Sequence, residues 1–168
     1  MKFFNKVPDE FGDLLMREAE NFYNTKTDPD QMPINEESGK KLAKIHPSWL
    51  TVGISDDDKV IGAAVIMPTQ KELGEQFVAG NITEKELLEK TIPAKYYDAY
   101  YLCSILVLPE QRRKGNGTII SLAAIRRTAG DQLAGKYFFA WPYSDEGERL
   151  MEDIKKRLGI EIFVRSKR

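Results

Sequence analysis

The chain has 168 residues, and 25 Lys and Arg against 26 Asp and Glu leave a net charge of −1. That length suits one domain, which buries roughly 70% of its unfolded surface without staples, and the near-zero charge gives no overall pull toward nucleic acid or an anionic membrane. One cysteine, Cys103, and one histidine, His46, exclude an intramolecular disulfide, a cysteine zinc site and a histidine-rich metal centre, so no metal is expected.

The start, Met1 to Lys6, has a positive flank but no apolar h-region or small-residue cleavage site, so it does not read as a signal peptide. No apolar run approaches the ~20 residues of a membrane span, and a reducing cytoplasm is the expected compartment. A helix is expected from Pro8 to Asn24, because Phe11, Leu14, Leu15, Ala19, Phe22 and Tyr23 fall on one face. Asp9 and Glu10 complement its dipole. Thr25 to Pro33 reads as loop, and Asn35 to Ile45 as a short helix stopped by Pro47. Strands over Trp49 to Ser55 and Lys59 to Met67 flank the polar turn Asp56-Asp57-Asp58, a hairpin. Gly62-Ala63-Ala64 makes the second strand flat, open to close packing, and Pro68 is expected to end it.

Gln70 to Lys95 reads as a helical insertion, with a capping box at Thr83-Glu84-Lys85-Glu86. A third strand, Asp98 to Leu108, is almost continuously apolar, as a strand covered on both faces would be. After a basic loop comes a helix with Ile119, Leu122, Ile125, Ala129 and Leu133 as its expected buried stripe. A fourth strand, Lys136 to Trp141, ends at Pro142. A helix from Asp145 to Leu158 follows, with Leu150, Met151, Ile154 and Leu158 inward, Asp145 and Glu148 as cap and N3, and Gly159 at its exit. Glu161 to Arg165 is a last strand. The order predicts one α/β domain with a mixed sheet.

Charge is unevenly spread. Nine acidic residues and only Arg17 and Lys26 as bases lie between Asp9 and Glu37, whereas bases lead seven to three from Arg149 to Arg168. Solvated helix faces and a basic tail account for this; so would an acidic side that attracts a cationic substrate.

The chemistry concentrates in the loop after the third strand, Pro109-Glu110-Gln111-Arg112-Arg113-Lys114-Gly115-Asn116-Gly117. Strand, glycine loop and helix together suit an anion: glycines let amides face it, and the helix start adds about half a positive charge. Arg112, Arg113 and Lys114 add three charges and Thr118 a hydroxyl. Gly117-Thr118 lacks the lysine of a Walker A loop, and Ile120 stands where a dinucleotide fingerprint needs its third glycine. A plain basic surface turn is the other reading of these residues alone.

Residues 105–118, Ile-Leu-Val-Leu-Pro-Glu-Gln-Arg-Arg-Lys-Gly-Asn-Gly-Thr, resemble the acyl-CoA-binding motif of the GNAT superfamily of N-acyltransferases. The order of elements is similar over most of the chain. The resemblance implies a GNAT-like, mostly antiparallel mixed sheet flanked by helices, with 70–95 as an insertion before the cofactor strand. It implies acetyl-CoA as cosubstrate, its pyrophosphate on the loop from Arg112 to Gly117 (Arg112, Arg113, Lys114, Gly115, Asn116, Gly117) and on Thr118. Its pantetheine arm would lie on the backbone of Ile105, Leu106 and Val107, where the strand splays from its neighbour.

The implied reaction is direct acetyl transfer to a primary amine of a small molecule or peptide, with a backbone N–H near Val107 polarising the thioester. Many members carry a tyrosine acid four residues before the glycine that ends the last helix; here that position is Lys155, and Glu148 stands where an asparagine is common. Tyr143, just past the fourth strand, is the replacement acid to test, against a ring that only caps a helix. Tyr101 occupies a place where some relatives hold a basic carboxylate, but core packing is the simpler role. Cys103 reads as a small buried hydrophobe and His46 as a helix-end residue.

The acceptor side is expected around Glu36, Glu37 and the 70–95 segment. The acidic bias favours a cationic amine, whereas Tyr96, Tyr97, Tyr100 and Tyr101 could line an apolar pocket instead. A homodimer is common among relatives. The alternatives are a non-catalytic acyl-CoA-binding module and a protein-interaction domain whose basic loop is only surface.

Overall fold

In the computed structural model, which describes residues 1–23 and 28–166, the chain forms one six-stranded sheet with its strands side by side in chain order. The expectations falling on 24–27 and on Lys167 and Arg168 lie outside the described residues. The strands are β1 (Lys2–Phe4), β2 (Leu50–Ile54), β3 (Val60–Thr69), β4 (Ala99–Val107), β5 (Tyr137–Ala140) and β6 (Ile162–Val164). The helices are α1 (Gly12–Tyr23), α2 (Glu36–Ile45), α3 (Lys71–Val78), α4 (Glu84–Lys90), α5 (Asn116–Ala129) and α6 (Asp145–Leu158). Strands β1 to β4 pair antiparallel, and β4–β5 and β5–β6 pair parallel. Each parallel step is bridged by a helix, α5 or α6, as such crossovers require. The expected mixed α/β sheet flanked by helices is present. Among the described residues no helix is long and apolar enough to cross a membrane.

Strand β1 was not expected. Its three residues are too few to show alternation, and they register on β2 with Phe4 opposite Val52. Pro68 does not end β3, which continues to Thr69 with Pro68 opposite Tyr100. The N–H of Ile66 points to the Trp49 carbonyl. Two residues on, the Pro68 nitrogen faces the same side, beyond the end of β2, where its missing N–H forfeits no ladder bond.

The α5 stripe is rotated from expectation. Ile119 is 46% exposed, and Ile120, Ser121, Ala124, Ile125, Thr128 and Ala129 are buried. The Ile119-Ile120 doublet allowed either register. Small residues on the buried side let α5 approach the sheet so closely that a Cβ on Gly53 would meet Ile120 Cγ1 at 2.9 Å. Leu133 lies past the helix end but still packs on the core. At α6 the cap is Ser144 rather than Asp145: the Ser144 hydroxyl accepts from the Gly147 N–H at 3.2 Å. Met151 and Ile154 are buried, with Leu150 and Leu158 packed beside them. In the insertion, Thr83 and Glu86 make the expected capping box of α4.

The sheet is covered on both faces. Ile120, Ile125, Met151 and Ile154 of α5 and α6 pack on Ile66, Tyr100, Leu102 and Phe138. On the other face Leu42, Phe77 and Leu87 of α2, α3 and α4 pack on Tyr101 and Phe139, while Leu15 of α1 packs on Val52, Ile54 and Leu106.

Two irregularities of β4 shape the space beside it. The first is a bulge: Leu102 lies opposite Ile66 and Ser104 opposite Val65, leaving Cys103 as the extra residue. Side chains an odd number of residues apart should point oppositely, yet Tyr101 and Leu106, five apart, both serve the α1–α4 face, while Leu102 and Ile105, three apart, both serve the α5–α6 face. The extra residue switches the parity. The second is a parting of strands. β5 pairs with β4 only from Ala99 to Leu102, so from Cys103 to Val107 β4 is paired on one side alone.

Candidate functional site

Where β4 and β5 part, a cavity of about 600 Å³ opens between them. Its walls are Cys103 to Val107 of β4, Trp141 and Tyr143 after β5, the start of α6 with Gly147, Arg149 and Leu150, and the loop and start of α5 with Arg112, Arg113, Gly115, Asn116 and Gly117. The Tyr23 hydroxyl reaches in from α1, accepting from the Ile105 N–H at 3.2 Å and donating to the Ile105 carbonyl at 3.3 Å. Both backbone groups of Ile105 therefore face away from β3. Alternation in an antiparallel pair sends those of Val107 the same way and those of Leu106 toward β3. Of the three backbone positions singled out in the sequence, Ile105 and Val107 face the gap and Leu106 does not. The Val107 carbonyl accepts from Arg112 Nε at 2.9 Å.

The loop is built by its backbone. Arg113 and Gly115 both sit in the left-handed region, at φ 60° and 76°, and Gly115 forms the N-cap of α5 without a side-chain cap. The Asn116 amide donates to the Gln111 carbonyl at 2.9 Å, closing the loop. The first bond of α5 is Ile119 N–H to Gly115 O, so the amides of Asn116, Gly117 and Thr118 precede the helical ladder. At Gly117 a Cβ would meet Leu150 and Val107 at 3.6 Å, so anything longer than alanine enters the cavity.

Two expected loop contributors turn elsewhere. The Thr118 hydroxyl donates to Asp153 Oδ2 at 2.7 Å, tying α5 to α6, and neither it nor Lys114 lines the cavity. Lys114 reaches Gln111 Oε1 at 3.4 Å. Arg149, which the sequence did not single out, lines the cavity together with Arg112 and Arg113.

A second cavity of about 220 Å³ lies on the α1–α2 side of β4. Leu15, Met16, Ala19, Met32, Ile34, Leu42, Trp49 and Leu50 make it mostly apolar, and Glu84 and Tyr101 stand in its wall. The Glu84 carboxylate accepts from the Met32 N–H and the Tyr101 hydroxyl, each at 2.7 Å, and from the Cys103 thiol at 3.5 Å. Burial pushes its pKa up against these donors. Among the described residues Glu84 has no salt-bridge partner. Tyr23, Cys103, Ser104, Leu106, Trp141 and Tyr143 line both cavities, so the two meet at the bulge.

No family model matches the chain, and no curated protein matches it. Among solved structures the chain is similar to a mutant of the BH1408 protein from Bacillus halodurans, determined by the Northeast Structural Genomics Consortium. The TM-score is 0.52 and the identity 16%, over 100% of this chain and 98% of that one. The likeness is one of fold.

The remaining singled-out residues separate cleanly. Tyr143 is 48% exposed and stands edge-on to Tyr23, ring centroids 6.0 Å apart, where the cavities meet. Tyr101 is 1% exposed, and burial next to Glu84 raises its phenol well above the usual range, so it is core and no base. Cys103 is half-buried rather than fully buried, and desolvation beside Glu84 raises its thiol well above normal, which disfavours the thiolate a nucleophile needs. His46 caps the end of α2, its Nδ1 accepting from the Ser48 N–H, and burial lowers its pKa. Lys155 lies outside both cavities and pairs with Glu152 and Glu161. Glu148 is in the first turn of α6 and lines neither cavity.

On the expected acceptor side, Glu36 and Glu37 pair with Lys40 and Lys41 on the exposed face of α2 and line neither cavity. Of the four tyrosines, Tyr101 alone lines the apolar cavity; Tyr96 is 80% exposed, Tyr97 donates to the Ile45 carbonyl and Tyr100 packs under α5. Glu84 falls in the 70–95 segment expected on the acceptor side, but within that segment it was legible only as part of a capping box. Thr83 and Glu86 complete that box by themselves, so the glutamate between them had no local task.

Proposed function

We propose that the protein is an acetyl-CoA-dependent N-acetyltransferase of GNAT type, transferring acetyl to a primary amine. One observation carries the reading: β4 leaves β5 after Leu102, and the resulting cavity runs from the outward backbone of Ile105 and Val107 to the amides of Asn116 and Gly117. A pantetheine arm offers amides to a strand edge, and a pyrophosphate suits a helix start beside Arg112, Arg113 and Arg149. In this reading the gap-facing Val107 N–H polarises the thioester carbonyl, and the neutral amine enters from the second cavity and attacks the carbonyl carbon. The C–S bond breaks, Tyr143 protonates the departing thiolate, and the proton released by the amine nitrogen passes to solvent, from which Tyr143 is reprotonated. Holding amine and thioester at the junction of two cavities supplies the proximity such a transfer needs. A reducing, cytoplasmic setting and a homodimer belong to the same reading.

Acetyl-CoA and CoA are expected to raise the melting temperature. Gly117→Glu should abolish the rise, because the carboxylate enters the cavity beside the α5 amides. Absence of a shift at millimolar CoA overturns the reading. A second reading, a non-catalytic acyl-CoA-binding module, has one observation in its favour: Lys155, at the usual acid position, is engaged with Glu152 and Glu161 away from the cavity. It predicts the same shift with no thiol release from any amine.

A further inference from the structure

We propose that the smaller cavity binds a compact primary amine with an aromatic or branched apolar body, its ammonium seated on Glu84. As an acceptor site it rests on the acetyl-transfer reading; as an amine site it is measurable without CoA.

The cavity has the two halves such a ligand needs. Leu15, Ala19, Met32, Leu42 and Trp49 provide an apolar sleeve. Its 220 Å³ lies below the ~300–1,000 Å³ of ordinary ligand clefts. That is too little for an aminoglycoside or a peptide segment.

At the inner wall is a carboxylate whose surroundings are incomplete. Glu84 is only 8% exposed, and its donors are one amide, one phenol and one thiol, none of them cationic. A buried carboxylate without a cation is costly, and a charge-assisted hydrogen bond is about twice as strong as a neutral one. The thiol is the weak member of the set, a poor donor at 3.5 Å. An ammonium arriving from the cavity replaces that contact on Oε1 while the Met32 and Tyr101 bonds remain. Cys103 and Ser104 belong to both cavities, so an amine held there stands against residues that also wall the larger one. The ionisable groups acting on Glu84 are Tyr101 and Cys103 of β4 and Asp28 of the loop before α2. Tyr23 of α1 feels its charge as well.

The test is calorimetric titration at neutral pH with 2-phenylethylamine, with its neutral counterpart 2-phenylethanol and with spermidine, all without CoA. The wild-type chain should bind 2-phenylethylamine about 10- to 100-fold more tightly than the alcohol, with spermidine weakest. Glu84→Gln, which keeps the shape and an acceptor oxygen, should remove the preference for amine over alcohol. Ala19→Phe, filling the sleeve from α1, should abolish binding of both and leave the CoA-induced rise in melting temperature intact. Equal affinity for amine and alcohol in the wild type, a preference that survives Glu84→Gln, or no binding of 2-phenylethylamine at millimolar concentration overturns the proposal. Amine binding without a CoA shift would instead leave the amine site standing and overturn the acetyl-transfer reading.

Discussion

A single hydroxyl, that of Tyr23, holds both the N–H and the carbonyl of Ile105, at 3.2 and 3.3 Å. It stands where a sheet neighbour would otherwise pair, on the side of β4 that β5 has left. Burial raises the Tyr23 pKa to about 12, so this hydroxyl stays protonated and can donate as well as accept.

Tyr23→Phe keeps the ring and strips the hydroxyl from Ile105. A lost hydrogen bond with partly hydrated partners costs about 1 kcal/mol, read as a lower denaturation midpoint. If the pantetheine arm takes the same two groups, the variant should show a larger CoA-induced rise in melting temperature than the wild type, since no phenol must be displaced. An unchanged or smaller rise counts against an arm on Ile105.

Gly115 holds φ at 76°, where a Cβ is strained by about 1–2 kcal/mol. Gly115→Ala should lower stability by that amount in urea denaturation, and Gly115→Asn by less. A Gly115→Ala variant as stable as wild type would show that the loop turns by another route.

Glu84 gives stability a pH dependence whose sign is fixed by the direction of its shift. A carboxyl with a raised folded pKa binds its proton more tightly in the native state than in the unfolded one. Its contribution is complete below the unfolded value of 4.5 and is lost as pH rises through the raised folded value. Glu84→Gln cannot lose that proton. Its stability relative to wild type should therefore increase as pH climbs from about 4.5 toward neutrality, followed by denaturant midpoints across that range. A constant difference would mean that Glu84 is not shifted upward.

Thr118 separates a cofactor contact from an interhelical tie. Its hydroxyl is the first cause of the lowered Asp153 pKa, ahead of Arg157. Thr118→Val should raise that pKa in a carboxyl NMR titration while leaving the CoA-induced shift as in the wild type. A lost CoA response would return Thr118 to the anion site.

Local patterns carried most of the architecture. The caps of α2 and α4, the Asp56–Asp58 turn and the apolar run of β4 are written in neighbouring residues, and α2, α5, α6 and strands β2 to β6 formed within a few positions of their expected bounds. Apart from the α6 cap, which sits one residue earlier at Ser144, and the three-residue β1, what failed depended on partners far along the chain. Pro68 stays in a strand only because β2 stops short of it, and Ile120 rather than Ile119 turns inward because Gly53 makes room. The loop residues Arg112, Arg113, Gly115, Asn116 and Gly117 line one cavity, whereas Lys114 and Thr118 turn to Gln111 and Asp153. Glu84 and Tyr23 were hidden for one reason: their partners Tyr101, Met32 and Ile105 are 17 to 82 residues away. No local period reports such a contact.

The extra residue at Cys103 makes β4 unequally tolerant of change. Replacement by another small apolar residue alters only a side chain. Deletion would restore strict alternation with Ile105 still opposite Ala64 and Leu106 still opposite Ala63, so both would keep their faces and only the bend made by the extra residue would be lost. The length of this strand, more than the identity of any residue on it, sets where β4 bends between the two cavities.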